Sequence, residues 1–260
     1  MQVARWTSLL AISTLVVLGG WSASTARADG MRSSAGPSEP TERGVWFGGY
    51  DTVKGSNYYF DGIIVALNGN MSRDGIALRV YGSRVDYDLD PGDGRGYQAD
   101  IMLGYRFTRA NVDGGIYVGV DYQDYKLSPD DPTAKVRGTE VGFAVAGNLE
   151  TNRDLPYYWS LSGKYSTAFD SYWARARVGL NRGRFTFGPE FTVFGDSDFD
   201  AHRIGGFVTF DVKLIPRMPW EVTLSAGHQF VDSSGAGGVG VTTPGGGEGT
   251  YGLIVISTTF

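Results

Sequence analysis

From Gly44 to the end of the chain, apolar and polar residues alternate with a period of two in segments of roughly ten residues, broken by clusters of Gly, Asp, Asn and Pro. Over Gly96–Arg109, Ile101, Leu103, Tyr105 and Phe107 fall on one face, and Gln98, Asp100, Met102, Gly104, Arg106 and Thr108 on the other. Over Tyr172–Asn181, Tyr172, Ala174, Ala176, Val178 and Leu180 oppose Trp173, Arg175, Arg177, Gly179 and Asn181. Over Arg184–Phe194, Phe185, Phe187, Phe191 and Val193 oppose Arg184, Thr186, Glu190 and Thr192. Such segments recur at about 45–53, 57–67, 75–83, 96–109, 114–125, 137–149, 157–168, 172–181, 184–194, 202–213, 219–230 and 250–260, which predicts about twelve strands, an even number.

The connections divide by parity. The even ones, such as Ala110–Asp113 and Asn181–Gly183, are short, whereas the long ones (Arg84–Arg95, Lys126–Val136, Gly195–Ala201 and Val231–Glu248) are all odd. An up-and-down outer-membrane barrel has short periplasmic turns and longer extracellular loops, whereas a soluble sandwich has no reason to sort its loops this way. Crossing hydrocarbon at a tilt takes about nine to eleven residues per strand, against five or six in soluble sheets, and the segments here match the longer figure.

The polar face decides which way the strands point. It carries Arg79, Asp100, Arg106, Asp121, Glu140, Lys164, Arg175, Arg177, Arg184, Glu190, Arg203, Asp211 and Glu221, a set too costly for a dry core but tolerable around a wet or mutually paired lumen. Tyr81, Tyr117 and Trp173 are candidates for the same face, where flat rings could stack on sugar units, and aromatics are also the usual girdle residues of such barrels. The fold class expected is therefore all-β: an up-and-down antiparallel transmembrane barrel of the outer-membrane type over 44–260, with the greasy side chains toward lipid. Phe260 closes the last alternation (Gly252, Ile254, Ile256, Thr258, Phe260) and resembles the terminal aromatic signal read by outer-membrane assembly machinery.

Composition narrows the class further. Cysteine is absent from the 260 residues, which excludes disulfides, thiolate metal sites and a cysteine nucleophile. Glycine is abundant, at 39 residues, but without a three-residue repeat. Residues 1–28 have the form of a cleaved signal peptide: Arg5, an apolar stretch from Leu9 to Leu18, and Ala26-Arg27-Ala28. The Pro- and Ser-containing stretch 29–43 is expected to be a disordered periplasmic leader. The net charge of −5 becomes −7 once Arg5 and Arg27 are removed, so no nucleic-acid partner is expected. The place implied is the outer membrane of a Gram-negative bacterium, with both termini periplasmic and the membrane's lipid as the surrounding partner.

The stretch Ala66–Gly75 (ALNGNMSRDG) followed by Ile76–Gly82 (IALRVYG) resembles the first periplasmic turn and third strand of the cellulose biosynthesis protein BcsS family. Trp46–Asp51 (WFGGYD), Gly188-Pro189-Glu190, Phe194-Gly195-Asp196 and Arg203-Ile204-Gly205 are similar as well, in the same order. The resemblance implies an exported, non-enzymatic protein linked to bacterial cellulose or another exopolysaccharide, working with other cellulose-synthesis components. It brings no catalytic residues and no cofactor. The motif residues also have plain structural work to do. Asn68-Gly69-Asn70 supplies turn positions, and Gly188-Pro189 predicts a bulge or bend within a strand.

Three further stretches carry candidate chemistry. His202 lies beside Asp196, Ser197, Asp198 and Asp200, a conceivable Ser/His/Asp grouping for a lipid- or glycan-modifying enzyme at the rim, and His228 lies near the outer end of its strand. The loop Asp86–Gly94 is rich in carboxylates but lacks calcium-loop spacing, so metal binding stays open. The glycine run from Gly235 to Gly247 lacks the Lys-Ser/Thr ending of a phosphate loop and is expected to be an extracellular loop. Two architectures remain for the lumen: an open passage or binding tunnel, and a plugged scaffold.

Overall fold

The computed structural model describes residues 42–89, 92–152, 154–215, 218–234 and 245–260. Twelve strands follow one another: β1 (Gly44–Val53), β2 (Ser56–Ala66), β3 (Gly75–Leu89), β4 (Gly92–Thr108), β5 (Val112–Ser128), β6 (Gly138–Thr151), β7 (Tyr157–Ser166), β8 (Tyr172–Arg182), β9 (Phe185–Asp196), β10 (Phe199–Ile215), β11 (Met218–Ser234) and β12 (Gly249–Thr259). Each pairs antiparallel with its sequence neighbours, and β1 pairs with β12 to close the barrel. Closure brings Val45 opposite Thr259, and the Phe260 N–H donates to the Gly44 carbonyl at 3.0 Å. Among the described residues no sheet edge is left unpaired, which is the condition for strands to cross hydrocarbon. The expected signal peptide and nearly all of the expected leader, residues 1–41, lie outside the described residues.

The alternation runs inside out relative to a soluble protein. Along β4, Ile101 and Leu103 are 56% and 54% exposed on the outer surface, while Asp100 and Met102 are 3% and 1% exposed toward the lumen. Val118, Val120, Phe143, Leu161, Val178, Phe187 and Ile204 continue this apolar exterior around the wall. So large a greasy surface is unfavourable in water and matches the lipid-facing band of a transmembrane barrel.

The end that holds residue 42 and Phe260 is called the near end, and the opposite end the far end. Strands β3, β4 and β5 (15, 17 and 17 residues) run well beyond the 10 residues of β1 and of β7. The stretches predicted as long odd loops at 84–95 and 195–201 are mostly strand: β3 runs to Leu89 and β4 starts at Gly92, and β9 and β10 are joined by a two-residue connection at 197–198. The alternation persists there, but both faces turn polar once a strand has left the lipid, so the contrast that marks a strand in sequence vanishes. Of the Gly235–Gly247 run, 235–244 lies outside the described residues.

Local sequence explains the turns. In 67–74, Asn68 accepts from the Asn70 N–H at 3.1 Å and Asn70 accepts from the Ser72 N–H at 2.8 Å, side-chain capping that holds the turn without a regular ladder. The tight β8–β9 turn requires Gly183, at φ +61°. Pro189 does not create a bulge. With no N–H to give, it leaves β8 and β9 unpaired between the pairs Arg177↔Glu190 and Leu180↔Phe187, yet the register is the same on both sides. The register shifts found in this region lie between β10 and β11, at Asp200/Ala201 and Val212/Ile215.

Candidate functional site

The lumen holds a cavity of about 1390 Å³ that runs from Glu42, Glu221 and Thr259 at the near end to Asp196, Phe199 and Gly245 toward the far end. Among the sequence-predicted residues, Arg79, Tyr81, Tyr117, Lys164, Trp173, Arg175, Arg177, Arg203, Asp211 and Glu221 line it. Asp100, Asp121 and Glu190 are buried in the wall behind. The other three lie outside it. The Arg106 guanidinium donates to the Met71 carbonyl at 2.8 Å, and Glu140 accepts from the Phe169 N–H at 3.1 Å near the far end. Arg184 is exposed in the β8–β9 turn and donates to the Asp211 carbonyl at 2.6 Å, because β9 begins at Phe185, one residue later than the predicted segment 184–194.

The lumen charges gather into two clusters. In the first, on β3–β5 and β7, Asp100 takes Arg79 at 2.6 Å and Lys164 at 2.7 Å, and Lys164 also reaches Asp121 at 2.8 Å. Gln123 donates to Asp121 at 2.7 Å and to the Ser171 hydroxyl at 2.7 Å, tying the cluster to the short 3-10 turn Ala168–Asp170. In the second, on β8–β12 and β1, Arg177 meets Glu190 at 2.8 Å and Arg203 meets Asp51 at 2.6 Å. Glu190 also accepts from the Tyr251 hydroxyl at 2.9 Å and the Ser225 hydroxyl at 3.1 Å. Arg203 donates to Gln229 at 2.7 Å, and Gln229 in turn holds the Gly245 and Gly247 carbonyls at 2.8 and 3.1 Å. A buried charge is stable only when paired and hydrogen-bonded in this way.

Aromatic side chains line β1–β3 on the same cavity. Phe47 and Phe60 each stack on Tyr81, with ring centroids 6.4 and 6.3 Å apart and planes within 28°. The Tyr58 and Tyr81 hydroxyls share a hydrogen bond at 2.5 Å, and Arg79 sits 5.0 Å over the Tyr81 ring. On β8, Arg175 lies 5.0 Å over Trp173. Tyr117 packs flat along the wall: a Cβ on Gly104 would come within 2.3 Å of its ring, so glycine is required there. The Tyr117 hydroxyl is buried without a hydrogen-bond partner among the described residues.

Toward the far end large side chains are buried. The Phe169 ring lies edge-on to Tyr125 at 5.5 Å, Phe199 is 2% exposed, and Gln229 is fully buried beneath the Gly245–Gly247 strap. The connection 129–137 folds across the rim, where the backbone N–H groups of Lys135 and Val136 both donate to Asp198.

The Ser/His/Asp grouping is not assembled. His202 points outward, bonded to Asp232 at 2.7 Å and stacked on Phe230 at 5.0 Å, while the Ser197 hydroxyl donates to the Phe169 carbonyl at 2.9 Å. Residue parity explains this, since His202 and the lumen-facing Arg203 point to opposite sides of β10. Asp86 is engaged by Arg84 and Arg95, both at 2.8 Å, and among the described residues no group of three or more His, Asp or Glu is placed to hold a metal ion.

Sequence reasoning missed Asp51, Gln123, Gln229, Tyr251, Phe47 and Phe60. In β1 and β2 both faces are apolar or aromatic, so hydrophobic contrast could not say which looked inward. The parity of Asp51 with Phe47 was the available signal.

The family model for the cellulose biosynthesis protein BcsS matches residues 45–260. No curated protein matches the chain. Among solved structures, the chain is similar to the KdgM porin in complex with disordered oligogalacturonate (TM-score 0.42, 10% identity, 83% of this chain and 99% of that one). It is also similar to CdiB from Escherichia coli (TM-score 0.39, 10% identity, 86% of this chain and 64% of that one).

Proposed function

The chain belongs to the BcsS cellulose biosynthesis protein family, and from that membership we propose that it is a non-enzymatic outer-membrane barrel that binds or passes a secreted polysaccharide, cellulose by family. On this reading the near end faces the periplasm, residues 1–28 are removed on export, and 29–43 is a periplasmic leader able to meet other cellulose-synthesis components. The observation that carries it is the cavity itself, about 1390 Å³, walled on one side by Phe47, Phe60 and Tyr81 and lined on β8 by Trp173. A pyranose ring offers apolar C–H faces to such rings and a rim of hydroxyls to fixed polar groups, the mixture expected of a ligand site.

The test is deletion of the gene in a cellulose-producing bacterium. Loss of extracellular cellulose with the synthase still active, restored by the wild-type gene but not by Phe47→Ala/Tyr81→Ala, supports the reading. Unchanged extracellular cellulose overturns it. The burial of Phe169, Phe199 and Gln229 toward the far end favours a second reading, a barrel plugged at its outer end that binds saccharide from the periplasm. Planar-bilayer recording separates the two, since a plugged barrel passes no single-channel current.

A further inference from the structure

Among the described residues, five cationic side chains line the cavity: Arg79, Lys164, Arg175, Arg177 and Arg203. Four of them are matched by carboxylates at 2.6–2.8 Å. Three of those carboxylates are recessed: the side chains of Asp100, Asp121 and Glu190 are at most 1% exposed, whereas Arg79, Lys164 and Arg177 keep 12–13%. At that level the wall presents its positive ends to the cavity and hides its negative ones, and a low-dielectric lumen sharpens the resulting field.

Arg175 stands apart. It has no carboxylate within ion-pair distance among the described residues, and its Nε donates only to the neutral Thr192 hydroxyl at 3.3 Å. A guanidinium has five N–H donors and accepts nothing, so its remaining N–H groups have no protein acceptor among the described residues. Trp173 lies against it at 5.0 Å and holds the planar group in one orientation. A partly buried cation that lacks a counter-ion is costly, and this one is held at the cavity surface between two clusters whose own charges balance.

We infer that Arg175, held by Trp173, is a binding subsite for a negatively charged oxyanion, a carboxylate or phosphate group, carried on a saccharide in the lumen or free in solution. The saccharide half of this inference rests on the function proposed above, and the anion half stands without it. Planar, bidentate recognition of an oxyanion is what a pre-oriented guanidinium does best.

The test is titration calorimetry on the full, detergent-solubilised protein with three probes: cellohexaose, cellohexaose oxidised at C6 to carry carboxylates, and inorganic phosphate. The expected result is about tenfold or tighter binding of the oxidised oligosaccharide over the neutral one, weakened by salt and competed by phosphate. Arg175→Gln should abolish the preference and Arg175→Lys, which keeps the charge but loses the planar fork, should keep only part of it, with folding of both checked by heat-modifiable gel mobility. Phosphate binding that Arg175→Gln removes, with neither oligosaccharide bound, keeps the anion site and sinks the saccharide reading. Equal binding of both oligosaccharides without phosphate competition overturns the anion site and leaves the saccharide reading intact. Charged-probe binding that survives in Arg175→Gln also overturns it. Should Arg175→Gln not fold, the wild-type preference and its salt dependence still decide.

Discussion

The two charge clusters of the lumen each oppose two cations to two carboxylates, yet they are built on different terms. In the β3–β7 cluster, Lys164 serves Asp100 and Asp121 together, and among the described residues Asp121 has no other cation, only the amides of Gln98 and Gln123. In the β8–β1 cluster each carboxylate has its own arginine, and Glu190 keeps two hydroxyl donors besides. One cluster shares a single ammonium between two carboxylates. The other shares none, and it spans the closure of the barrel, since Arg203 and Asp51 are 152 residues apart in sequence. The lesson is that charge balance alone does not rank buried networks, because the number of carboxylates that rely on one cation decides what its loss leaves behind.

This difference can be broken experimentally. Lys164→Met should have the largest effect, because it strands Asp121 in a fully buried position without a cation. The expected loss is about 3–5 kcal/mol in denaturant unfolding of the lipid-reconstituted barrel. Arg177→Met should cost less, about 1–3 kcal/mol, because it takes a cation from one carboxylate only, and Tyr251 and Ser225 still donate to Glu190. Equal losses in the two variants would show that the sharing of one cation by two carboxylates is irrelevant here.

The smallest effect lies outside the membrane, in the 67–74 turn. There the Thr108 N–H, with help from Arg109, holds the exposed Asp74 carboxyl below its ordinary pKa. A depressed acid contributes in full above its unfolded pKa, and the contribution fades as pH falls through the folded value, so the tie should loosen only below about pH 4. The Thr108 amide resonance should move in that window and lose its titration in Asp74→Asn. Movement at neutral pH instead would show that Asp74 is not its partner.

Much of the barrel was legible in sequence because lipid imposes a strict face alternation over about ten residues, and Ile101/Leu103 against Asp100/Met102 is that constraint written out. It failed where lipid no longer applies. Arg84, Asp86 and Arg95 belong to β3 and β4 but lie past the apolar band, so they were read as loop. The site was legible as a parity list, which placed Arg79, Lys164, Arg175 and Arg177 on the cavity wall. The pairing that leaves Arg175 alone was not, since it depends on which strands curve together: Lys164 on β7 reaches Asp100 on β4 across the lumen rather than along a ladder. The Asp51–Arg203 pair depends on closure between β1 and β12, which no local pattern states.

The central claim is that charged side chains face inward and greasy ones face lipid. The absence of native cysteine allows single-cysteine spin labels to be placed along β4 in lipid bilayers, outward at residues 101 and 103 and inward at 98 and 102. The account predicts strong relaxation by lipid-dissolved oxygen at 101 and 103 and weak relaxation at 98 and 102. Equal oxygen accessibility along the strand, or the reverse alternation, would contradict it.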